Sequence, residues 1–254
     1  MAFPTESVKE SPVPMLEAVD VSASYGAMTV VRGVGITVSA GEAVGLLGPN
    51  GAGKTSFVES LAGRVNGGGS VTLAGERIDH LASFKRARRG LALVPDTRGL
   101  FRSMTVQENL ALGARLAAPE ARADSMARAM ELFPELRDRF RQQAGSMSGG
   151  EQQMLAVAKA LVADPKILIL DEPTQGLAPR LFEVIIRVVD ELKVAGLALL
   201  IADQNYAFVK SLADRAVVLN GGVIVRSMTG MELSLESDIM ATYTGMSRRD
   251  AYNS

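Results

Sequence analysis

The chain has 254 residues, of which 47% are hydrophobic, and its 27 Lys and Arg nearly balance its 28 Asp and Glu, for a net charge of −1. This length and hydrophobic content support one sizeable α/β domain or two very small ones and exclude global disorder. The near-neutral balance argues against a protein that coats nucleic acid through bulk charge, and we expect no nucleic-acid partner. Cysteine is absent and His80 is the sole histidine, which excludes disulfides, thiolate metal sites and histidine-rich metal sites.

Both ends of the sequence are expected to be tails. Residues 1–14 carry several prolines and lack the basic start and apolar run of a secretory signal, so a flexible tail is predicted there. A second tail is predicted at 246–254. No apolar run approaches the roughly 20 residues that span a bilayer, so any membrane role is expected to come through partners. The basic run at 85–89 is interpreted as a solvated loop or helix face.

Hydrophobic periodicity predicts an alternation of strands and helices. In chain order the pattern predicts strands at 15–25, 30–38 and 43–47, a helix at 54–61, strands at 70–73 and 90–94, helical stretches at about 105–140 and 148–162, a strand at 166–170, a helix at 179–194, a strand at 197–202, a hairpin of 214–219 with 223–227, and a short helix at about 233–244. This order indicates an α/β fold class with a mostly parallel sheet covered on both faces. The early strands and the late hairpin indicate a smaller antiparallel part, and residues at about 97–163 indicate a helical insert.

A glycine-rich loop follows the predicted strand at 43–47. It matches the pattern G-x-x-x-x-G-K-[ST] in full, with Gly48, Pro49, Asn50, Gly51, Ala52, Gly53, Lys54 and Thr55, and Ser56 comes next. Such a loop aims backbone N–H groups at a phosphate, and the following helix N-terminus adds positive charge. Lys54 is expected to reach the β- and γ-phosphates and the Thr55 hydroxyl to bind Mg²⁺. The motif alone indicates nucleoside-triphosphate binding and would equally fit a GTPase or a small-molecule kinase. A plain glycine-rich turn is the structural alternative.

A pair of acids ends the buried strand predicted at 166–170. In a parallel sheet, sites form at the carboxyl ends of the strands. Asp171 is expected to hold Mg²⁺ through water, and Glu172 to orient or deprotonate an attacking water. The alternative is a helix cap, in which Asp171 accepts hydrogen bonds from backbone donors.

The segment at 146–153, Ser-Met-Ser-Gly-Gly-Glu-Gln-Gln, resembles the signature motif of ABC ATPases, and the resemblance covers nearly all of 15–245. Met147 replaces the usual Leu, and Glu151 the usual Gln. Taken alone, Ser148, Gly149 and Gly150 would fit an ordinary helix cap, but their place shortly before the Asp-Glu strand is typical of the family. The resemblance implies the ABC ATPase fold, which joins a P-loop NTPase core to an antiparallel β subdomain and an inserted helical subdomain.

The resemblance also implies ligands and partners. It implies binding of ATP with Mg²⁺ and a head-to-tail dimer, in which residues 148–151 complete the ATP site of a second ABC ATPase subunit, identical or different. Two integral-membrane permease subunits and, indirectly, a solute-binding protein are implied, with a peripheral location on the cytoplasmic face of the cell membrane.

Tyr25 resembles the residue that stacks on adenine, although a tyrosine at a strand end is the plain alternative. The segment 176–179 corresponds to the loop that contacts the partner.

Two departures from the common family pattern resemble the branched-chain amino acid transport subfamily. Asp96 stands where most relatives carry the Gln of the Q-loop, and is expected as a further metal ligand. Gln204 stands where most carry the switch His. Because Gln204 can donate a hydrogen bond but cannot take up a proton near neutral pH, hydrolysis is expected to depend chiefly on Glu172, with Lys54 and Gln204 in support.

The resemblance therefore favours the ATPase subunit of an importer for branched-chain or related amino acids. One alternative is a soluble ABC ATPase that acts on a protein assembly or on nucleic acid. Another is a nucleotide-sensing regulatory subunit with little catalysis, which the residues at 96 and 204 would permit.

Overall fold

The computed structural model describes residues 14–177 and 180–235. The two predicted tails, apart from Pro14, and the end of the predicted helix at 233–244 lie outside these ranges. The strands are β1 (Leu16–Tyr25), β2 (Met28–Val38), β3 (Ala43–Leu47), β4 (Ser70–Leu73), β5 (Glu76–Arg77), β6 (Leu91–Val94), β7 (Ile167–Asp171), β8 (Ala198–Asp203), β9 (Arg215–Asn220) and β10 (Val223–Met228). The α-helices are α1 (Lys54–Leu61), α2 (Ser83–Arg88), α3 (Val106–Ala114), α4 (Arg122–Leu132), α5 (Gly149–Leu161), α6 (Arg180–Val194), α7 (Tyr206–Leu212) and α8 (Gly230–Leu235).

The strands form two sheets. The larger has the order β10-β9-β3-β8-β7-β6, in which every neighbouring pair is parallel except the hairpin of β9 and β10. The smaller sheet has the order β2-β1-β4-β5 and is antiparallel. The predicted α/β class, with a mostly parallel sheet and a smaller antiparallel part, is therefore confirmed.

Both faces of the larger sheet are buried. Side chains alternate along each strand, so Leu168 and Leu170 of β7 join a core with α3 to α7, whereas Ile167 and Ile169 join a core with α1 and the smaller sheet. This two-sided burial explains why β3, β7 and β8 consist almost wholly of apolar residues.

The helical stretch predicted at about 105–140 is broken into shorter pieces. Helix α3 ends at Ala114, and α4 starts only after a 3₁₀ turn at Pro119–Ala121. A second 3₁₀ turn, Pro134–Leu136, follows α4. The prediction of one continuous run was wrong because each proline lacks a backbone N–H and is accommodated at the start of a helical turn rather than within a helix.

The basic run at 85–89 is only partly solvated, which corrects its interpretation. Arg86 on α2 is buried, and its guanidinium donates hydrogen bonds to the carbonyls of Ser60, Leu61, Asp79 and Leu81 at 2.6–3.0 Å. Burial lowers the pKa of Arg86. The side chain thereby satisfies carbonyls at the C-terminal end of α1, the helix that follows the glycine-rich loop.

Strand register brings the predicted site segments to one edge of the sheet. Leu47 at the end of β3 pairs with Asp203 of β8, and Asp171 of β7 pairs with Ala202. Val94, the last residue of β6, pairs with Leu170. The loops that follow these four parallel strands therefore leave from the same edge. Among the described residues, no helix is both long and apolar enough to cross a membrane.

Candidate active site

The glycine-rich loop wraps tightly between β3 and α1. A Cβ on Gly48 would lie 2.3 Å from the carbonyl oxygen of Leu219, so only glycine fits there. Gly53, just before α1, has a φ of 104°, a left-handed conformation that glycine adopts readily. The loop borders a cavity of about 140 Å³ that is lined by Val30, Gly51, Gly53, Lys54, Thr55, Ser56 and Glu172.

Lys54 is one of the residues that line this cavity. Its side chain is only 3% exposed, and its Nζ donates hydrogen bonds to the carbonyls of Gly48 at 2.8 Å and Pro49 at 3.2 Å. The same atom lies 3.3 Å from Oε1 of Glu172. The structure therefore places the lysine of the loop and the second acid of the β7 pair in direct contact, as two sides of one small cavity.

Asp171 is buried without a hydrogen-bond partner. It is 1% exposed, and among the described residues nothing donates to either carboxylate oxygen. Burial raises its pKa to about 7, with further increases from the charges of Asp96 and Glu172. The Thr55 hydroxyl and the Lys54 charge lower that pKa, although the contact with Thr55 falls short of hydrogen-bond geometry. A buried carboxylate without a hydrogen-bond donor is a suitable ligand for a cation, whose positive charge would balance that of the carboxylate.

Glu172 has an unusual backbone conformation. Its φ is 45°, in the left-handed region that costs a non-glycine residue about 1–2 kcal/mol. Its backbone N–H donates to the carbonyl of Ala202 at 2.7 Å, which ties the residue to the neighbouring strand. This conformation turns the chain sharply after Asp171, so consecutive acids can serve one site.

Buried Asp203 supports the loop that follows Glu172. One of its oxygens accepts from the N–H and hydroxyl of Thr174 at 3.2 and 2.8 Å, and the other accepts from the Asn205 N–H at 2.8 Å. No role for Asp203 was predicted from the sequence. An acid at the end of a wholly apolar strand was the signal that could have identified it.

The remaining predicted residues near the loop are more exposed. Tyr25, half exposed at the end of β1, donates its hydroxyl to Ser56 Oγ at 3.4 Å and so borders the loop. Asp96 is exposed and accepts a hydrogen bond from the Thr97 N–H, while its charge acts on Asp171. Gln204 is exposed directly after β8, the strand between β3 and β7.

Residues 148–151 form a separate constellation. Ser148 caps α5, and it exchanges hydrogen bonds with Glu151 in a reciprocal capping box. Residues 148–151 are not among those that line the Lys54 cavity, and no hydrogen bond or ion pair among the described residues joins them to 48–55. Within one chain, the two parts of the predicted site, residues 148–151 and the loop at 48–55, are therefore not in contact through any of these interactions.

Two further residues, which were not identified from the sequence, stabilise the helical part of the fold that contains α3 and α5. Arg139 contacts Glu151 through an ion pair of 2.8 Å. Buried Asn109 of α3 accepts from the Phe101 N–H and donates to the carbonyls of Phe101 and Thr105, each at 3.0 Å. Asn109 thereby fixes the exposed Phe101 loop to α3.

The arrangement can bind a polyphosphate and present a carboxylate to its end. The loop offers backbone donors and one cation, and Glu172 is the acid nearest that cation. Among the described residues no group of three or more His, Cys, Asp or Glu is placed to hold a metal by itself. A divalent cation would therefore need ligands from a bound phosphate as well as from Thr55 and Asp171.

Comparison with known proteins agrees with this geometry. The family model described as ABC transporter matches residues 31–175. The chain is 40% identical to the high-affinity branched-chain amino acid transport ATP-binding protein BraG of Pseudomonas aeruginosa, over 91% of this chain and 100% of that protein. It is 34% identical to the lipopolysaccharide export system ATP-binding protein LptB of Escherichia coli K12, over 91% and 97%. Among solved structures, the ADP conformation of MJ1267, an ATP-binding cassette of an ABC transporter, superposes with a TM-score of 0.79 at 23% identity, covering 92% and 98% of the two chains.

Proposed function

Because the chain belongs to the ABC transporter family and is an ATP-binding, ATP-hydrolysing member of it, we propose that it energises an importer of branched-chain or related amino acids. The observation that carries the catalytic part of the proposal is the contact between Lys54 and Glu172 across one small cavity. Residues 15–245 would act as the ABC ATPase domain, with its helical subdomain at about 97–163.

In this proposal the nucleotide lies on the glycine-rich loop. Backbone N–H groups of residues 50–56 and the Lys54 ammonium bind the phosphates. The half-exposed ring of Tyr25 offers a face on which adenine stacks, beside the start of α1. Glu172 orients or deprotonates the attacking water, because it is the carboxylate beside the lysine that marks the γ-phosphate position.

The proposed magnesium ligands are Thr55, Asp171 and, more distantly, Asp96. When bound, Mg²⁺ would neutralise charge on the phosphates. The buried carboxylate of Asp171, to which no described residue donates a hydrogen bond, supports this assignment, since a cation would supply such an interaction. Gln204 is proposed to donate a hydrogen bond to the γ-phosphate from the strand end between the two motifs.

A second ATPase subunit is proposed to complete the site. The separation of residues 148–151 from the Lys54 cavity supports a head-to-tail dimer in which Ser148 and the first turn of α5 face the partner's γ-phosphate. Residues 176–177 would contact that partner; positions 178–179 lie outside the described residues. ATP would close the dimer and hydrolysis would release it.

The permease subunits are proposed to dock on a groove between the larger sheet and the helical part. A cavity of about 350 Å³ lies there between β6, α3 and α5. Phe101, one of the residues that line it, has an exposed ring, and the Lys159 Nζ lies 4.6 Å from the centre of that ring. Phe84, which is also exposed, follows the lining residue Ser83 on α2. Exposed aromatic side chains beside an apolar cavity are suited to a helical segment of a partner. This docking would place the chain at the cytoplasmic face of the membrane, with a solute-binding protein acting through the permeases.

Reconstitution tests the proposal. The chain, its companion ATPase subunit and the permeases with which it co-purifies are placed in liposomes, with the solute-binding protein outside, and uptake of labelled leucine is measured with internal MgATP. We expect uptake that depends on ATP and is lost in Glu172→Gln. ATP hydrolysis without uptake of any branched-chain amino acid would contradict the importer assignment, and lipopolysaccharide release would favour the export function named for the E. coli relative. A wild-type chain that binds ATP without hydrolysing it would instead favour a regulatory subunit.

A further inference from the structure

The signature segment of this chain carries a negative charge close to where an anion is proposed to bind. Glu151 is the third residue of α5, and its Oε2 accepts a hydrogen bond from the Ser148 N–H at 2.8 Å. That bond is the main cause of a lowered pKa for Glu151, with a further contribution from Arg139, so the side chain is ionised at neutral pH. A carboxylate in the first turn stabilises the helix itself, but it also repels a phosphate that approaches the same helix end.

Arg139 supplies the opposite charge at this point. Its Nε donates to Oε1 of Glu151 at 2.9 Å and its Nη2 lies 2.8 Å from the same oxygen, which leaves Oε2 for the Ser148 N–H. The two carboxylate oxygens are therefore divided between the guanidinium and the helix cap. Arg139 and Glu151 are 40% and 23% exposed, so the pair is expected to add little to stability, about 0–1 kcal/mol.

The cap leaves selected donors free for a ligand. The Ser148 hydroxyl oxygen accepts from the Glu151 N–H at 3.3 Å, and the hydroxyl also interacts with the Glu151 carboxylate, from which its proton can turn to a phosphate. The N–H groups of Gly149 and Gly150, at the start of α5, have no intrahelical acceptor in any α-helix. These donors can bind an anion only if the charge of the adjacent Glu151 carboxylate is neutralised and the carboxylate is held in the helix cap.

We propose that Arg139 is a positioning residue for hydrolysis in the partner's site: it neutralises Glu151 and holds it in the cap, so that Ser148 and the first turn of α5 can receive the γ-phosphate. This inference rests on the proposed function, since it requires the head-to-tail dimer. It explains how the chain tolerates Glu151 where relatives usually carry a neutral Gln, because Gln would need no counter-charge.

The test is a charge-rescue experiment on the full chain. The chain is studied as its ATP-dependent dimer, with the companion subunit present if the dimer is a heterodimer. Arg139→Ala, Glu151→Gln and the double variant are compared for the ATP concentration that gives half-maximal ATPase. We expect Arg139→Ala to raise that concentration about fivefold or more. The double variant should return from the Arg139→Ala value to the value of Glu151→Gln alone, because without the carboxylate there is no charge for Arg139 to neutralise.

Controls separate this role from stability and from the nucleotide loop. Arg128→Ala removes another surface ion pair of the helical part, the one with Asp164, and should leave the ATP concentration for half-maximal ATPase unchanged. Binding of a fluorescent ATP analogue to the separated monomer should be the same in all variants, because it depends on the loop at 48–56. Failure of wild-type monomer to bind it would count against the proposed function itself. A double variant as impaired as Arg139→Ala, or an Arg139→Ala variant equal to wild type, would overturn the inference.

Discussion

The Nζ of Lys54 lies 3.3 Å from Oε1 of Glu172, and the same amine donates to the carbonyls of Gly48 and Pro49. The lysine therefore has its own acceptors within the protein, and a triphosphate must compete with them. Because Glu172 sits on a left-handed backbone turn, its carboxylate is held beside the lysine and not turned away along the strand. Binding of the γ-phosphate at Lys54 would free this carboxylate to act on water.

Glu172→Gln should separate binding from hydrolysis. The amide keeps the shape of the side chain but cannot act as a base, so we expect phosphate release to fall by at least about 100-fold. ATP affinity should persist, because the phosphate ligands of the loop are untouched. Phosphate release and equilibrium ATP binding are measured on the same preparation. Glu59→Gln, on α1, is the matched control, and a Glu172 variant with half of wild-type ATPase would remove Glu172 from the proposed role.

Asp171→Asn should abolish the magnesium effect without harming the fold. The amide is isosteric and uncharged, so the buried site no longer holds an unpaired carboxylate, and the free energy of unfolding without ligand should be unchanged or higher. The extra stabilisation that Mg²⁺ adds to the effect of ATP in wild type should be lost, whereas the effect of ATP alone, measured with a chelator, should remain. Thermal unfolding under these conditions gives both results. A normal MgATP stabilisation in the variant would exclude Asp171 as a metal ligand.

Gly48→Ala should damage the fold at the site itself. The added Cβ would lie 2.3 Å from the Leu219 carbonyl oxygen, a backbone atom that cannot move cheaply, so we expect a loss of about 1–3 kcal/mol in the free energy of unfolding. Gly35→Ala is the control, since its Cβ would have an ordinary contact of 3.5 Å with the Ala18 carbonyl. Urea unfolding compares the two. Equal stability in both variants would show that the loop is less tightly packed than described.

Asn109→Ala should loosen the loop proposed to face the permease. It removes hydrogen bonds to both backbone groups of Phe101 and to the Thr105 carbonyl. The two carbonyls keep other backbone donors, so the Phe101 N–H is the group left unsatisfied, at a cost of about 1–3 kcal/mol. Urea unfolding measures this cost, and hydrogen exchange of the Phe101 amide should become faster. Asn66→Ala, at an exposed position, should have neither effect. Unchanged exchange at Phe101 in the Asn109 variant would contradict the assigned support.

Local patterns were sufficient to predict the part of the site that lies along single strands. The glycine-rich loop, the Asp171-Glu172 pair and the apolar strands before them are each contained in a few consecutive residues. Parallel pairing of the strands then brings their carboxyl ends to one edge of the sheet, and this placement does not depend on the rest of the sequence. The domain limits and the individual residue roles stay predictions.

Charged residues whose partners are distant in the chain could not be placed in this way. Arg86 looked like a member of a solvated basic run, because its carbonyl acceptors near residues 60 and 80 become neighbours only after folding. The contact of Arg139 with Glu151 likewise depends on how the turns after α4 pack on α5. The break after α3 is different, because Pro119, which begins the 3₁₀ turn there, is a local signal that the sequence itself contains.

Calorimetric titration of the purified chain with ATP, with and without Mg²⁺, tests the central claim most directly. A triphosphate held between Lys54 and the Asp171-Glu172 strand end requires one site per chain, tighter binding with magnesium, and a large loss of affinity in Lys54→Ala. Lys85→Ala, on α2, should bind as wild type does. If wild type showed no magnesium-dependent affinity, or if Lys54→Ala bound MgATP as tightly as wild type, the site would have been assigned to the wrong residues.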